Sequence, residues 1–276
     1  MNPLNILILT ATITPKTGVP NLRRSDPALR LQDYSKSLEF YITLLDANVD
    51  FIIFCDNSSS DISTLKQAAS KKGHKDRVEF ISFEGLNYPP DYDRAYGEFI
   101  LIEYVMEHSD IVLNRSFDEA VFWKVTGRYI VRNLELIIAN QPRSFDLYCN
   151  FKNFRRKQTD SQVLGWRWRG YERRKQADMF LFAYTTIGYE LCLWNTYLKL
   201  RMNAEHRKLK IDPEELWRDL LDGMVHVNSN KLVKRFNVIP EIEGFRAADN
   251  KAYHVEGRWN YWLRRIGRIV APWLWI

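Results

Sequence analysis

Four short, almost wholly apolar runs recur through the first 125 positions: Asn5–Thr12, Asp50–Cys55, Val78–Phe83 and Val121–Val125. Runs of this length without polar alternation suit strands covered on both faces. Between them lie segments of helical period. Ala28–Leu45 sets Leu31, Leu38, Tyr41 and Leu45 along one stripe, Ile62–Lys72 is closed by Gly73, and Tyr96–His108 forms a third. Strands alternating with helices of this size specify βαβ units, and hence a mostly parallel sheet with helices on its faces. Ligands of such sheets sit outside the carboxyl ends of the strands. The polar loops after the first, second and fourth runs are therefore where chemistry is expected.

The second half is less regular. Ser144–Phe154 and Asp178–Tyr184 read as strands, and Tyr189–Arg201 and Pro213–Val227 as helices. The second of these helices opens on Asp212-Pro213-Glu214-Glu215, a helix-start signature. The apolar stretch 179–194 contains two Thr, a Gly and a Glu, so it does not read as a membrane-spanning helix. The N-terminus has no cationic region before its apolar run and reads as a strand rather than a leader. Cys55, Cys149 and Cys192 lie far apart, which offers neither a thiolate zinc cluster nor a disulfide framework and suits a reduced cytoplasm.

Charge is distributed unevenly. Residues 151–176 carry nine Lys/Arg against two acids, and residues 251–276 carry five against one. These segments hold +7 and +4 of a total of +6, leaving the remainder at −5. A mildly acidic body with two basic segments argues against a uniformly basic nucleic-acid binder. Six of the nine Trp (166, 168, 259, 262, 273 and 275) fall within those segments. Trp166, Arg167, Trp168 and Arg169 interleave rings and cations, as does a tail containing Trp259, Trp262, Arg264 and Arg265. Such interleaving can stack on bases, grip an anionic glycan or rest on an anionic membrane, or it can be a solvated loop with its Trp tucked inward.

Three loops carry candidate chemistry. After the first strand, Arg23, Arg24 and Arg30 flank a helix start, a setting suited to a phosphate, or else to an Arg–Asp pair in a solvated loop. After the second, Asp56-Asn57-Ser58-Ser59-Ser60-Asp61 puts a carboxylate at the strand end, where it can accept from a ribose or base. Ser60 or Asp61 there suits a helix cap. On the fourth strand and its exit, Lys124, Gly127 and Arg128 combine cations with a residue that lets backbone approach a ligand. No dinucleotide or P-loop glycine pattern is present.

Taken together, the buried first strand, the Asp56 loop, Tyr96-Gly97-Glu98 and Lys124-Val125-Thr126-Gly127-Arg128-Tyr129 resemble bacterial GT-A-type glycosyltransferases of surface-polysaccharide pathways. The segments 177–184, Glu214-Glu215 and 239–254 extend the resemblance to roughly residues 4–255. The resemblance implies an α/β, GT-A-like (Rossmann-like), mostly parallel sheet flanked by helices in residues 1–250, with a basic aromatic tail at 251–276. It implies transfer of a sugar from a nucleotide-sugar donor to a glycan or lipid-linked acceptor at the inner face of the cytoplasmic membrane. Donor-binding candidates are Thr10, Arg24, Arg30, Asp56, Asn57, Lys124, Gly127, Arg128 and His254. The candidate base is Glu215 or Glu98, with Glu214 and Glu215 also suiting the first turn of a helix.

The chain departs from that family where its divalent metal is usually held. An Asp-x-Asp is expected where the fourth strand ends, but Thr126-Gly127-Arg128-Tyr129 stands there, and Asp91-Tyr92-Asp93 precedes the third helix instead. Lys124 and Arg128 would then supply the positive charge, with Asp146, alongside His254, as the fallback ligand for Mg or Mn. Two other readings stand beside this one. A sugar nucleotidyltransferase would need a Gly-rich loop with a Lys after the first strand, which Gly18 alone does not supply. A nucleic-acid-binding protein would use residues 151–176.

Overall fold

The computed structural model describes residues 3–114, 120–163, 166–206, 211–224, 231–253, 262–263, 266–267 and 270, with backbone alone at 93, 154–163 and 166–174. In chain order it runs β1 (Leu4–Ala11), α1 (Pro27–Ile42), β2 (Phe51–Asp56), α2 (Ser63–Lys71), β3 (Val78–Ser82), α3 (Asp93–His108), α4 (Asp110–Leu113) and β4 (Ala120–Thr126). There follow β5 (Ile130–Val131), α5 (Leu134–Ala139), β6 (Leu147–Tyr148), β7 (Phe151–Val163), β8 (Trp166–Ala177) and β9 (Leu181–Tyr184). Then come α6 (Thr186–Cys192), α7 (Thr196–Glu205), α8 (Pro213–Met224), β10 (Leu232–Val233), β11 (Ile242–Phe245) and β12 (Ala252–Tyr253).

Seven strands form one Rossmann-like sheet in the order β10-β6-β9-β4-β1-β2-β3. All its pairings are parallel except those of β9, which runs antiparallel between β4 and β6. The unbroken apolar runs are explained by cover on both faces. Leu7, Leu9, Ile52, Phe54, Val121, Trp123 and Val125 face a layer containing α1, α2 and α5. Ile6, Ile8, Ile53, Cys55 and Phe122 face the other layer, built on α3, α7 and α8. The alternation of side chains along a strand assigns them to these layers. Position 124 therefore falls on the α3 side, and that is where its lysine is found, fully buried.

The β1–α1–β2 crossover lies on one face and α3 on the other, so β1 and β4 flank the point where the winding reverses. A crevice outside their carboxyl ends follows from this topology. Asp26 caps α1 by accepting from the amides of Ala28 and Leu29 at 2.8 and 3.0 Å, and Pro27 occupies the first turn. This cap fixes where Arg30 and Tyr34, one helical turn apart, enter the crevice.

Two expectations differ from the fold, in which β4 is an inner strand that encloses its lysine from both sides. The helix expected at Tyr189–Arg201 is two helices, broken where Asn195 takes a left-handed φ of 59°. The Trp/Arg stretch around 166–169, read as a loop, lies on a strand: β7 and β8 pair as a separate two-stranded ribbon. Its Thr, Val, Tyr and Trp favour strand, and the charge pattern concealed that signal. No helix among the described residues is long and apolar enough to cross a membrane.

Candidate active site

A cleft opens at the carboxyl ends of β1 and β4. Thr10 and Thr126 face each other in register at its floor. The β1–α1 loop closes one side with Lys16, and the segment leading to α3 closes another with Tyr88 and Pro90. Lys16 Nζ donates to the Tyr88 carbonyl at 2.9 Å, joining the two walls. The charged residues of the cleft are Lys16, Arg30, Arg94, Arg128 and Glu98, four cations and one acid.

The acid is already answered. Glu98 Oε1 accepts from the Thr10 hydroxyl at 2.6 Å and the Thr126 hydroxyl at 2.9 Å, and forms an ion pair with Lys124 Nζ. Burial raises the Glu98 pKa, but Lys124 and the two hydroxyls outweigh it and hold the carboxyl below its ordinary value. Burial lowers Lys124, with Glu98 pulling the other way. Lys124 also donates to Thr126 Oγ1 at 3.1 Å and to the Met179 carbonyl.

The two guanidiniums are different. Arg30 and Arg128 are 5% and 7% exposed. Among the described residues, neither has a carboxylate within ion-pair distance. Arg30 donates only to neutral oxygens: the Thr12 carbonyl at 2.6 Å, the Arg24 carbonyl at 3.0 Å and the Tyr34 hydroxyl at 3.2 Å. Arg128 donates to the Phe245 carbonyl at 3.0 Å, and its Nε is buried with no partner. Burial lowers the Arg30 pKa, Tyr34 opposes that, and Arg128 lowers it further by repulsion. Both remain charged, since a guanidinium does not lose its proton in a protein. Burial lowers the Arg128 pKa, but Tyr34, Tyr129 and Glu98 outweigh it and hold it above its ordinary value. The fold thus holds two like charges beside one cleft with no carboxylate in direct contact, an arrangement that favours an anion.

Gly127 makes this approach feasible. Its amide donates to the Thr10 carbonyl at 2.8 Å, and an added Cβ would lie 2.9 Å from that oxygen and 3.3 Å from the Tyr34 ring. The Ser37 hydroxyl holds its carbonyl from the other side. Any side chain at 127 would force β4 away from β1 and displace Arg128.

The remaining candidates are dispersed. Asp56 is fully buried and committed to its own loop, accepting from the amides of Ile13, Ser58 and Ser60 at 2.8, 3.1 and 3.2 Å and from the Ser58 hydroxyl. It shapes the loop and presents no free oxygen to a ribose. Asn57 accepts from the Thr12 hydroxyl at 2.7 Å behind the cleft wall. Arg24 forms a fork with Asp33 at 2.5 and 2.7 Å, reaches Asn250 at 2.9 Å and covers the Phe245 ring, so its donors point away from the cleft. Lys124 faces Glu98 rather than the open space. Glu215 lies on α8, which packs through Trp217 against Phe99 and Phe182 and lines no part of the cleft.

Asp146 precedes β6, at the opposite edge of the sheet from the cleft, 3.4 Å from Lys231. Among the described residues no three His, Cys, Asp or Glu gather as a metal set. At the end of β4 a divalent ion would meet a hydroxyl, a glycine, a guanidinium and one carboxylate, Glu98, already paired with Lys124, a donor set that does not fit it. His254, Trp259, Arg264 and Arg265 lie outside the described residues. Trp166, Arg167, Trp168 and Arg169 lie on β8, and Trp262 is exposed.

Lys16, Arg94 and Tyr34 line the cleft without having been singled out from sequence. Arg94 stands four residues before Glu98 on α3, so helical spacing already placed it on the same face.

The site and sheet define a Rossmann-like α/β protein with a cationic crevice at its switch point. No family model matches the chain, and no curated protein matches it. Among solved structures it is similar to a 4-diphosphocytidyl-2C-methyl-D-erythritol synthase, with 10% identity over 96% of this chain and 98% of that one, at a TM-score of 0.42. It is also similar to the inositol-1-phosphate CTP transferase from T. maritima, with 15% identity over 98% of each chain, at a TM-score of 0.38.

Proposed function

We propose that this chain is a transferase that binds a nucleotide-activated sugar in the β1/β4 cleft and moves the sugar to a hydroxyl acceptor. The observation that carries this reading is the pair of buried guanidiniums, Arg30 and Arg128, without carboxylate partners beside one cleft. A diphosphate supplies the missing negative charge and offers oxygens to both forks. Charge grows on that diphosphate as the sugar leaves, so cations fixed in place beforehand favour departure. Lys16 and Arg94 add to the same field from the cleft wall. Glu98 anchors Lys124 and the two floor threonines, and its depressed pKa makes it an orienting group rather than a strong base. The basic aromatic tail, with Trp262, Leu263, Ile266 and Val270 exposed, suits docking to an anionic membrane that holds a lipid-linked acceptor.

Sugar nucleotidyl transfer is the second reading, favoured by Lys16, which the β1 loop brings to the cleft. It corresponds to the chemistry named for the CTP transferase above. One experiment separates the two. Purified chain is incubated with nucleotide sugars, and in parallel with nucleoside triphosphates plus sugar 1-phosphates. Release of nucleoside diphosphate in the first supports glycosyl transfer. Release of pyrophosphate in the second, with no reaction in the first, replaces it with nucleotidyl transfer. Absence of both, together with no thermal shift by any nucleotide, overturns the whole reading.

A further inference from the structure

The β7–β8 ribbon is the most strongly charged element of the chain, and the sheet topology fixes where it starts and ends. β4 ends at Thr126 on the cleft floor. β9 runs antiparallel to β4 with Leu181 opposite Val125, and the Phe180 carbonyl accepts from the Thr126 amide at 2.9 Å. β8 therefore delivers its last residue, Ala177, to the same edge of the sheet as the cleft. β6 runs parallel to β4, so β7 also departs from that edge.

The ribbon's base is tied down. Phe151 is buried with the Arg218 guanidinium 3.8 Å from its ring centroid. Lys152 pairs with Asp178 at 2.5 Å, and Asn150 bonds the same carboxylate. A two-stranded ribbon alone is marginal in water; here this anchoring and the packing of α8 against β8 give it a fixed origin.

Its register sets like charges opposite one another: Arg155 against Arg174 and Arg156 against Arg173. Only Lys157–Glu172 and Asp160–Arg169 oppose opposite signs. Directly opposed like charges weaken a sheet unless a counterion lies between them. At about 3.3 Å per residue, strands of this length extend roughly 40 Å, with cations along the whole of it. A single diphosphate is far shorter than that. A linear polymer with repeated negative charge matches both the length and the sign.

We propose that β7–β8 is the acceptor-binding arm of this enzyme and that the acceptor is an acidic polysaccharide, laid along the ribbon so that one end reaches the cleft. This rests on the glycosyl-transfer reading. The test uses the full chain, with polygalacturonate oligomers as probe, neutral dextran oligomers of equal length as control, and single-stranded oligonucleotides and phosphatidylglycerol vesicles as competing partners. Two variants are compared, R155Q/R156Q/R173Q/R174Q and R167Q/R169Q, with nucleotide-sugar thermal shifts measured in parallel.

The expected result is salt-sensitive binding of polygalacturonate but not dextran, weakened at least about 10-fold in the fourfold variant and less in the double one, with the nucleotide shift unchanged. Equal polygalacturonate affinity in wild type and both variants overturns the proposal while leaving the donor site standing. Tighter binding of the oligonucleotide than of the glycan, or vesicle binding that the fourfold variant weakens more than it weakens glycan binding, overturns it in favour of that partner. If no nucleotide sugar shifts the wild type, the functional reading fails first and the acceptor assignment falls with it.

Discussion

Glu98 of α3 and Lys124 of β4 form an ion pair beneath the floor of the cleft, with the hydroxyls of Thr10 and Thr126 on the same carboxylate oxygen. The pair couples the helix on one face of the sheet to the two strands that define the crevice. Removing one partner leaves the other charged and buried. Glu98→Gln should therefore destabilise the protein by about 3–5 kcal/mol. Glu98→Gln combined with Lys124→Met should cost clearly less, since no lone charge remains. Urea denaturation of the three proteins measures this, and equal losses in single and double variants would refute the coupling.

The same carboxylate predicts a pH response. Its folded pKa lies below its ordinary value. The stabilisation is then fully present above the unfolded glutamate value of about 4.3 and is lost as pH falls through the lower folded value. Stability measured downward from pH 5 should fall more steeply in wild type than in Glu98→Gln/Lys124→Met. Parallel curves would show that Glu98 titrates normally.

Arg30 and Arg128 should behave as ligand-binding rather than stabilising residues. Arg128→Met is expected to lower turnover by about 10²-fold or more, as for loss of one fixed electrostatic contact. The melting temperature without ligand should fall only modestly, through loss of the Phe245 contact, because the side chain makes no direct carboxylate ion pair. Nucleoside diphosphate should raise the melting temperature of wild type and fail to raise that of Arg30→Met/Arg128→Met. A retained ligand shift in the double variant would exclude this pair as the diphosphate site.

Gly127→Ala places a methyl 2.9 Å from the Thr10 carbonyl, a backbone atom that cannot rotate away. Overpacking at such a contact costs about 1–3 kcal/mol. Ligand affinity should fall as well, because Arg128 follows directly in the chain. Calorimetry with a nucleoside diphosphate and a thermal melt together test both effects.

Asp56→Asn separates a structural from a binding role. The carboxylate accepts three amides and a hydroxyl, and an amide side chain cannot accept them all. A loss of about 1–3 kcal/mol in stability is expected, with the donor KM changed little in the surviving folded fraction. A large change in KM at unchanged stability would return Asp56 to the ligand.

Much of the fold was legible because it depends on patterns the chain carries locally. Strands such as Asn5–Thr12 have no polar face, and only a sheet covered twice accommodates that. Arg30 and Arg128 were legible as cleft-lining residues because they follow strand ends, where such sheets expose ligands. Lys124, Arg24 and Asp56 were chosen on the same ground, yet each is consumed by a partner distant in sequence: Glu98, Asp33 with Asn250, and the amides of the 58–60 turn. Sequence reports which charges are present, and tertiary contacts decide which remain available. The β7–β8 ribbon was concealed for a related reason, since strand propensity depends on neighbours supplied by the opposite strand.

The register of that ribbon also bears on how such a chain can vary. Lys152 stands opposite Gln176, so the two ends of a segment of some 25 residues are cross-strand neighbours, about 5 Å apart. The segment could be exchanged for a longer, shorter or differently charged ribbon without altering any strand of the seven-stranded sheet, provided the face that packs on α8 is kept. Acceptor choice would then evolve as a replaceable cassette, while the cleft beneath it stays the same.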